Sequence, residues 1–470
     1  MGGTWSPTSP PADPGFYVNF EALATATVSG GQTGVVLMPL HDAVWGPVGK
    51  TVELYSLAEY DRVFSKGECG ARESVARAFT GTGYAPGAER VLVHRVISSG
   101  TGDTAKATVA GMEFEGRYVG NRINGWNLSL TNVPGTTEYE FVLMDGEIER
   151  WRAEFDAEDI PAVDAAIAAL AHADSNNWFV MTPNSPGYDG SNDDQDFDAT
   201  GSALPAAGSD VADFVETELI NNDYNVVTSY DAGIGAVIAE AAIEDNLNGK
   251  RFLAVVGGGD EDIDTACAAA VDIGNENVVR VGYTILEQDG EEVLPEAFAP
   301  QLAGIIAANG PFRSITASHV AGMSVKKKAG KSELRKARNA GLVMLVEDQI
   351  GARLYQDMTT YTSDTIYKPR KEFGVIKAVM VHHQIETDLT RAAEGGWIGG
   401  ANVNTANYRR AVLDGISGYL ARVEGAAMIL PGWEVGLDEM YDNTGDSIHI
   451  KYGIKTSRVV ERILNTIVLH

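Results

Sequence analysis

The residues best placed to do chemistry are Gly257, Gly258 and Gly259, which stand between an apolar strand pattern and a predicted helix. Nucleotide-binding folds hold phosphate at such a position, on the N–H groups of a helix N-terminus. This segment lacks the third glycine of the dinucleotide fingerprint and the Gly-Lys-Ser/Thr of a P-loop. The acidic run Asp260–Asp262 would repel phosphate but suits ordinary helix capping. We therefore interpret the segment as a structural turn, with a nucleotide-binding α/β enzyme as the alternative function.

Hydrolase and metal chemistry find little support in the sequence. There is no Gly-x-Ser-x-Gly nucleophile motif, and none of the eight histidines adjoins a nucleophile motif. His382 and His383 follow an apolar stretch typical of a strand, in which they would point to opposite faces. The acidic segment Asp189–Asp198 is rich in calcium-type ligands but departs from the EF-hand order. A solvated, mobile outer loop is the favoured interpretation of that segment, with a weak cation site as the alternative. No catalytic residue, cofactor or metal is predicted.

The charge pattern argues against a nucleic-acid partner. The formal net charge is −29, and phosphate contacts need clustered lysine and arginine. The only basic cluster has no interleaved aromatic residues. We interpret it as a solvated loop and helix face, with an electrostatic contact to an acidic protein surface as the alternative. Its members are Lys326, Lys327, Lys328, Lys331, Arg335, Lys336 and Arg338.

Cysteine usage and hydropathy indicate a protein of cytosolic origin. Cys69 and Cys267 are far apart and belong to no Cys-x-x-Cys pair, so neither a disulfide framework nor a zinc site is expected. The N-terminus has no charged region followed by an apolar core, as a signal peptide would. No apolar run reaches the roughly 18 residues that a membrane span needs. Direct membrane insertion is therefore not expected.

The order of strand and helix patterns along the chain predicts an α/β core. Strand patterns alternate with helices of 10–15 residues, which is typical of a mostly parallel sheet with covering helices. Alternating strands and an Asp145-Gly146 hairpin signal predict an inserted β-rich domain. We expect the α/β pattern to resume at Trp178 and an α+β domain to close the chain. The predicted segments are a 1–22 arm, 23–99 and 176–345 for the α/β domain, 100–175 for the insertion and 346–470 for the C-terminal domain, which ends in a strand arm.

Both ends of the chain have strand-like patterns that suggest assembly. An apolar strand left at an edge calls for a partner, and such strands commonly add to a neighbour's sheet. We therefore expect subunits joined by extended N- and C-terminal arms. The candidate arm residues are Phe16, Tyr17, Val18, Phe20, Ile448, Ile450, Tyr452, Ile467, Val468 and Leu469.

Four segments in order carry a family resemblance that covers nearly the whole chain. They are the opening Pro14–Phe20, then Ser318–Met323, then Gly341–Leu345, and the closing strands. Together they resemble the tail sheath proteins of contractile-tailed phages. The likeness is greatest to the compact type of defective prophages and phage-tail-like bacteriocins. A secretion-type injection machine would share this fold.

The resemblance implies a structural protein and not an enzyme. Its subunits would form hexameric rings, stacked helically around an inner tail tube, and contraction would drive the tube through a target cell envelope. The implied partners are further copies, the tail tube protein, and baseplate and tail terminator proteins. The implied location is a virion tail or phage-tail-like particle assembled in the host cytoplasm. A helix of the C-terminal domain would face the tube, with Arg409, Arg410, Asp414 and Arg422 as candidates.

Overall fold

The computed structural model describes residues 33–459 apart from 68, 84, 99, 101, 363–371 and 400–401, together with the backbone of Gly2–Thr4 and Phe16–Val18. Contacts divide the chain into two compact units. The larger unit includes Gln32–Met380, and the smaller unit includes Val381–Val459. The five predicted segments are not tested by this division and stay predictions.

The secondary structure elements follow in chain order. The strands are β1 (Gly2–Thr4), β2 (Phe16–Val18), β3 (Val35–Leu40), β4 (Thr51–Leu54), β5 (Arg90–Arg95), β6 (Lys106–Val109), β7 (Met112–Gly116), β8 (Asn127–Asn132), β9 (Glu138–Asp145), β10 (Ile148–Asp156), β11 (Phe179–Met181), β12 (Asp193–Asp196), β13 (Val226–Thr228), β14 (Leu253–Gly257), β15 (Val278–Val281), β16 (Leu286–Gln288), β17 (Glu291–Val293), β18 (Ser324–Val325), β19 (Leu342–Val343), β20 (Leu345–Glu347), β21 (Ala352–Leu354), β22 (Glu434–Leu437) and β23 (Ile450–Gly453). The helices are α1 (Leu57–Phe64), α2 (Gly70–Phe79), α3 (Ile160–Ala171), α4 (Leu219–Asn221), α5 (Ala232–Leu247), α6 (Ile263–Ile273), α7 (Pro295–Asn309), α8 (Lys331–Ala340), α9 (Ile376–Ala392) and α10 (Ala406–Gly425). Short 3₁₀ or π turns cover Gly208–Val211, Phe214–Glu218 and Ala393–Trp397.

The larger unit is built on a mostly parallel sheet, as predicted. Its strand order is β19-β15-β14-β13-β3-β5-β4, and among these strands only β4 runs antiparallel to its neighbour. Successive residues of a strand point to opposite faces, and in β3 both faces are buried. Val36 and Met38 join one apolar cluster, whereas Val35 and Leu37 join another. Helices therefore cover both faces of this sheet.

Side chains cap the N-termini of four helices in the larger unit, which are α1, α3, α5 and α6. Ser56 accepts a hydrogen bond from the Glu59 N–H at the start of α1. Helix α2 begins at Gly70, where the distant Asp42 carboxylate accepts the N–H groups of Gly70 and Ala71 at 2.7 and 2.9 Å. A carboxylate at a helix N-terminus also interacts favourably with the helix dipole.

The β-rich region contains two sheets, ordered β10-β9-β8-β12 and β11-β7-β6, together with α3. The hairpin prediction at Asp145-Gly146 is confirmed, because Asp145 and Ile148 pair across a two-residue turn in which Gly146 has a φ of 61°. The expectation that the α/β pattern resumes at Trp178 is wrong. Strand β11 pairs with β7, within the β-rich region, because its apolar residues complete that region's core.

The acidic segment also belongs to the β-rich region. Strand β12 pairs antiparallel with β8, and the neighbouring Tyr188 and Phe197 are buried in the same apolar cluster. Most of this segment is exposed, as the solvated-loop interpretation expected, but Asp193–Asp196 form a strand and not a loop. Among the residues that the structure describes, no group of three or more acidic, histidine or cysteine side chains could hold a metal ion.

Trp45 and Arg95 connect the central sheet to the β-rich region. Trp45 lies in the loop after β3, is fully buried in the aromatic cluster of the β-rich region, and donates from Nε1 to the Asn177 carbonyl at 3.2 Å. Arg95, at the end of β5, is also fully buried and donates to the carbonyls of Ala43, Gly46 and Val119 at 2.7–3.0 Å. Burial lowers the pKa of the Arg95 guanidinium to about 10.

In the smaller unit, α10, the part of α9 that begins at Val381, and the two-stranded sheet β22-β23 share one apolar cluster. The predicted strand around His382 and His383 is wrong, since both residues lie within α9. The apolar run before them continues with Ile385 and Leu389 at helical spacing, and both side chains join the apolar cluster. No helix in the described part of the chain is long and apolar enough to cross a bilayer.

Candidate assembly surfaces

The glycine loop after β14 is filled by the protein itself. A Cβ atom on Gly257 would lie 2.3 Å from the Pro295 carbonyl oxygen, so only glycine allows the start of α7 to approach so closely. Gly258 donates to the Val281 carbonyl and accepts from the Glu296 N–H, each at 3.0 Å. These contacts fit a structural turn that packs α7 against the sheet.

The N-terminus of α6, where a phosphate would bind, is occupied by carboxylates. Asp262 accepts from the Thr265 N–H at 2.7 Å, and this hydrogen bond holds the pKa of Asp262 below its usual range. Glu261 pairs with Arg280 at 2.9 Å, and only 13% and 10% of these side chains are exposed. The Thr265 N–H and the Arg280 guanidinium therefore already bond to carboxylates, which weighs against the nucleotide-binding alternative.

The basic cluster separates into paired and unpaired residues. Lys327 lies 3.1 Å from Asp260, and the other pairs are Lys326 with Glu292, Lys328 with Glu347 and Lys336 with Asp264. Lys331, Arg335 and Arg338 are exposed and form no salt bridge with a described residue. Most of the cluster therefore neutralises local acidic groups, and three residues of α8 remain for another partner.

The hairpin of the smaller unit contains two of the predicted arm residues. Ile450 and Tyr452 in β23 pair with Leu437 and Val435 in β22, and both are partly buried against the α10 cluster. Ile448 precedes the strand. The pairing extends at both ends, from Leu430 N–H to the Lys455 carbonyl at 2.7 Å and from Asp438 N–H to the His449 carbonyl at 2.8 Å. Neither outer edge of this hairpin pairs with another strand of the described residues.

The remaining arm residues can be placed only in part. The backbone of Phe16–Val18 pairs in parallel with Gly2–Thr4. Phe20, Ile467, Val468 and Leu469 lie outside the described residues. A role of either arm between subunits therefore stays a prediction.

The predicted helix of the C-terminal domain is present as α10, and one apolar face of it is buried. Thr405 caps it by accepting the Tyr408 N–H at 3.1 Å. Tyr419 donates its hydroxyl to Asp388 Oδ2 at 2.7 Å, and burial raises the pKa of this tyrosine. The residues buried on this face are Val412, Ile416, Tyr419, Leu420 and Val423.

The four predicted tube-facing residues of α10 differ in accessibility. Arg409 is half-buried and donates to Asn404 Oδ1 at 2.8 Å and to the Asn443 carbonyl at 3.0 Å. Arg410 and Asp414 are exposed. Arg422 is exposed, with its guanidinium 5.8 Å from the centre of the Tyr419 ring. Arg409 thus holds a neighbouring loop, whereas the others face solvent in the isolated chain.

That neighbouring loop, 438–449, was missed by the sequence reasoning. Asn404 donates to the carbonyls of Asn443 and Gly445 at 3.0 and 2.7 Å, which ties the loop to the start of α10. The loop presents Met440 at 84% and Tyr441 at 56% exposure. The Asp438 and Asp442 carboxylates accept hydrogen bonds from the backbone N–H groups two residues further on. Aspartate is typical of such turns, so these two residues were the signal in the sequence.

The chain has the fold of contractile tail sheath proteins, which confirms the resemblance seen in the sequence. The sheath tail protein of Desulfitobacterium hafniense matches at a TM-score of 0.70 with 17% identity, over 94% of this chain and 100% of that one. The Listeria innocua sheath tail protein matches at 0.67 with 16% identity, over 93% and 98%. The contracted helical sheath of the anti-feeding prophage matches at 0.58 with 12% identity, over 98% and 100%. These neighbours are sheath proteins and not enzymes. No protein-family model and no curated protein sequence matches the chain.

Proposed function

We propose that this chain is the structural subunit of a contractile tail sheath. Copies would form hexameric rings stacked around an inner tail tube, and contraction would drive the tube through the target cell envelope. The observation that carries this proposal is the full-length likeness to sheaths, including one in the contracted state. The particle is a virion tail or a phage-tail-like injection device, assembled in the host cytoplasm.

Strand addition at the β22-β23 hairpin would connect the subunits. The hairpin has two outer edges without a strand from the described residues, and the arms carry strand-like sequences. An added strand of about six residues spans roughly 20 Å and brings several backbone hydrogen bonds of about 1 kcal/mol net each. Such connections can persist while rigid bodies rotate around them. The energy for contraction would come from new subunit contacts, without nucleotide hydrolysis.

Truncation of the arms tests this connection. Removing residues 1–20 or 460–470 should leave a folded, monomeric protein that forms no long tubes in negative-stain images. Residues 446–459 are kept because they include β23, which packs on the smaller unit's own core. A Gly-Ser replacement of residues 1–20 at equal length controls for chain length. Ordered tubes from both truncated proteins would contradict strand exchange.

The tube contact is proposed at the exposed part of α10, where Arg410 and Asp414 lie. A sheath must release its tube on contraction, so a small charged contact repeated over many subunits suits it. The Arg410→Glu variant should reduce co-assembly with the tube protein and still form empty contracted sheath. Arg313→Glu, an exposed reversal in the larger unit, is the matched control. Normal tube-filled tails from Arg410→Glu would exclude this face.

A further inference from the structure

Helix α8 carries a basic stripe that forms no salt bridge with a described residue, in a strongly acidic protein. Lys331, Arg335 and Arg338 follow one another at spacings of four and three residues, so they share one face of the helix. Ala337 and Ala340 are buried on the opposite side. The stripe extends about 10 Å along the helix axis. Like charges at this spacing repel, so the stripe weakens the isolated helix and gains from an anionic partner.

An acidic stripe of similar length lies on the β-rich region. Every second residue of an extended segment there is an exposed aspartate, namely Asp194, Asp196 and Asp198. Phe197, between the last two, points the other way and is buried. Asp193 also points inward, where its Oδ2 accepts the Ala110 N–H at 2.9 Å. Three carboxylates at every second residue extend about 13 Å. The two stripes therefore carry the same number of charges, have opposite signs and are roughly equal in length.

The carboxylates of the acidic stripe have polar contacts but no salt bridge with a described residue. Asn127 Nδ2 donates to Asp196 Oδ1 at 2.9 Å and to Asp194 Oδ2 at 3.3 Å. Asp198 Oδ1 accepts from the N–H groups of Lys106 and Thr200 at 2.9 and 3.2 Å, and from the Thr200 hydroxyl at 2.6 Å. These hydrogen bonds fix the carboxylates in place without neutralising them. A fixed charge loses less entropy when it meets a partner.

We propose that the basic stripe on α8 docks onto the acidic stripe of a second copy of this chain. The inference rests on the proposed assembly and names one of its contacts. Copies with a formal charge of −29 repel one another, so unpaired cations are the residues that can offset this repulsion. The other basic residues nearby already pair within their own chain. Charge complementarity therefore selects a second copy as the occupant of the α8 stripe.

A charge swap in the full-length protein tests the contact. The triple variant K331E/R335E/R338E should raise the concentration needed for polymerisation about tenfold or more, since three exposed pairs each contribute modestly. The variant K50E/R62E/K66E reverses three exposed residues elsewhere and should polymerise like the wild type. Adding D194K/D196K to the α8 variant restores opposite charges and should recover polymerisation. Sedimentation and negative-stain imaging measure the polymer, and circular dichroism confirms that each variant folds.

Each outcome decides the proposal. An α8 variant that polymerises like the wild type overturns the contact. An α8 variant that fails and is not rescued by D194K/D196K shows that the stripe binds another surface, which also overturns it. The contact should weaken as salt rises, because the Debye length falls from about 10 Å at 0.1 M to about 3 Å at 1 M. Wild-type protein that stays monomeric throughout would instead contradict the proposed function together with this contact.

Discussion

The central sheet and the C-terminal hairpin differ in how completely their own unit surrounds them. Strands β13, β14 and β15 each have a neighbour on both sides and are buried on both faces. Strands β22 and β23 have one described neighbour each, and their residues are half-buried or exposed. Edge strands present unpaired N–H and C=O groups that can pair with another chain. The central strands therefore have all their backbone partners within their own unit, whereas the hairpin has free edges to which a strand of another chain can pair.

The largest expected loss of stability comes from Trp45, which is buried in the aromatic cluster between the central sheet and the β-rich region. Trp45→Ala removes a fully buried side chain and should lower the free energy of unfolding of the larger unit by about 3–5 kcal/mol. Trp433→Ala in the smaller unit is the matched control, because Trp433 is only partly buried and donates to Glu424 at 2.7 Å. Urea unfolding measures both losses. Equal losses would contradict the contrast between the two units.

Replacing a helical glycine by alanine should change stability in opposite directions in the two units. A Cβ atom on Gly304 in α7 would lie 2.0 Å from the Ala78 carbonyl oxygen of α2. Gly304→Ala should therefore destabilise the larger unit by about 1–3 kcal/mol or more. In Gly418 of α10, a Cβ atom would have no atom of the described residues within 4 Å apart from its chain neighbours and the backbone of its own helix. Gly418→Ala should stabilise the smaller unit by up to about 1 kcal/mol, because alanine favours helix. Thermal melts check both signs, and a stabilised Gly304→Ala variant would contradict the close packing of α2 and α7.

Lowering the pH should destabilise the larger unit through protonation of His94. Burial lowers the pKa of His94, although Glu218 and Asp213 raise it, and the imidazole Nδ1 lies 3.1 Å from the Thr51 hydroxyl. As the pH falls below 6.5, the usual pKa, the unfolded chain binds the proton first, so stability is lost until the folded-state pKa is reached. His94→Gln should flatten this pH dependence by at most about 1.4 kcal/mol per pH unit. Urea midpoints between pH 7.5 and 5 provide the measurement, and an unchanged slope would exclude His94.

The parallel core was predictable from the sequence because its signals are local. Apolar runs such as Phe252–Val256 are long enough and bounded clearly enough to specify buried strands, and Asp231 or Asp262 mark the helices that follow. The apolar run before His382 has no such boundary. Strand and helix fit it equally well, and the tertiary contacts of α9 decide the outcome.

Long-range contacts explain what the sequence did not predict. Nothing local to Phe179–Met181 identifies β7 as its partner, and the acidic β12 has the composition of a loop. Arg95 occurs in a strand pattern and is buried because carbonyls from two distant loops accept its donors. The difference between Arg409 and Arg410 likewise depends on a loop 34 residues further along the chain. The sequence therefore predicted α10 and its charged residues, but it did not predict which of them the neighbouring loop covers.

The position of β3 in the central sheet also constrains how this chain folds during synthesis. Val36 in β3 pairs with Val226 in β13, and the neighbouring contact from Val35 to Asn225 joins residues 190 apart. At about 5–20 residues per second, a ribosome needs roughly 10–40 s to supply the second strand after the first. In that interval the β-rich region, which lies between the two strands, can fold on its own short-range hairpins. One side of β3 remains unpaired for the same interval, which leaves an apolar strand edge open to misassociation and to chaperone binding.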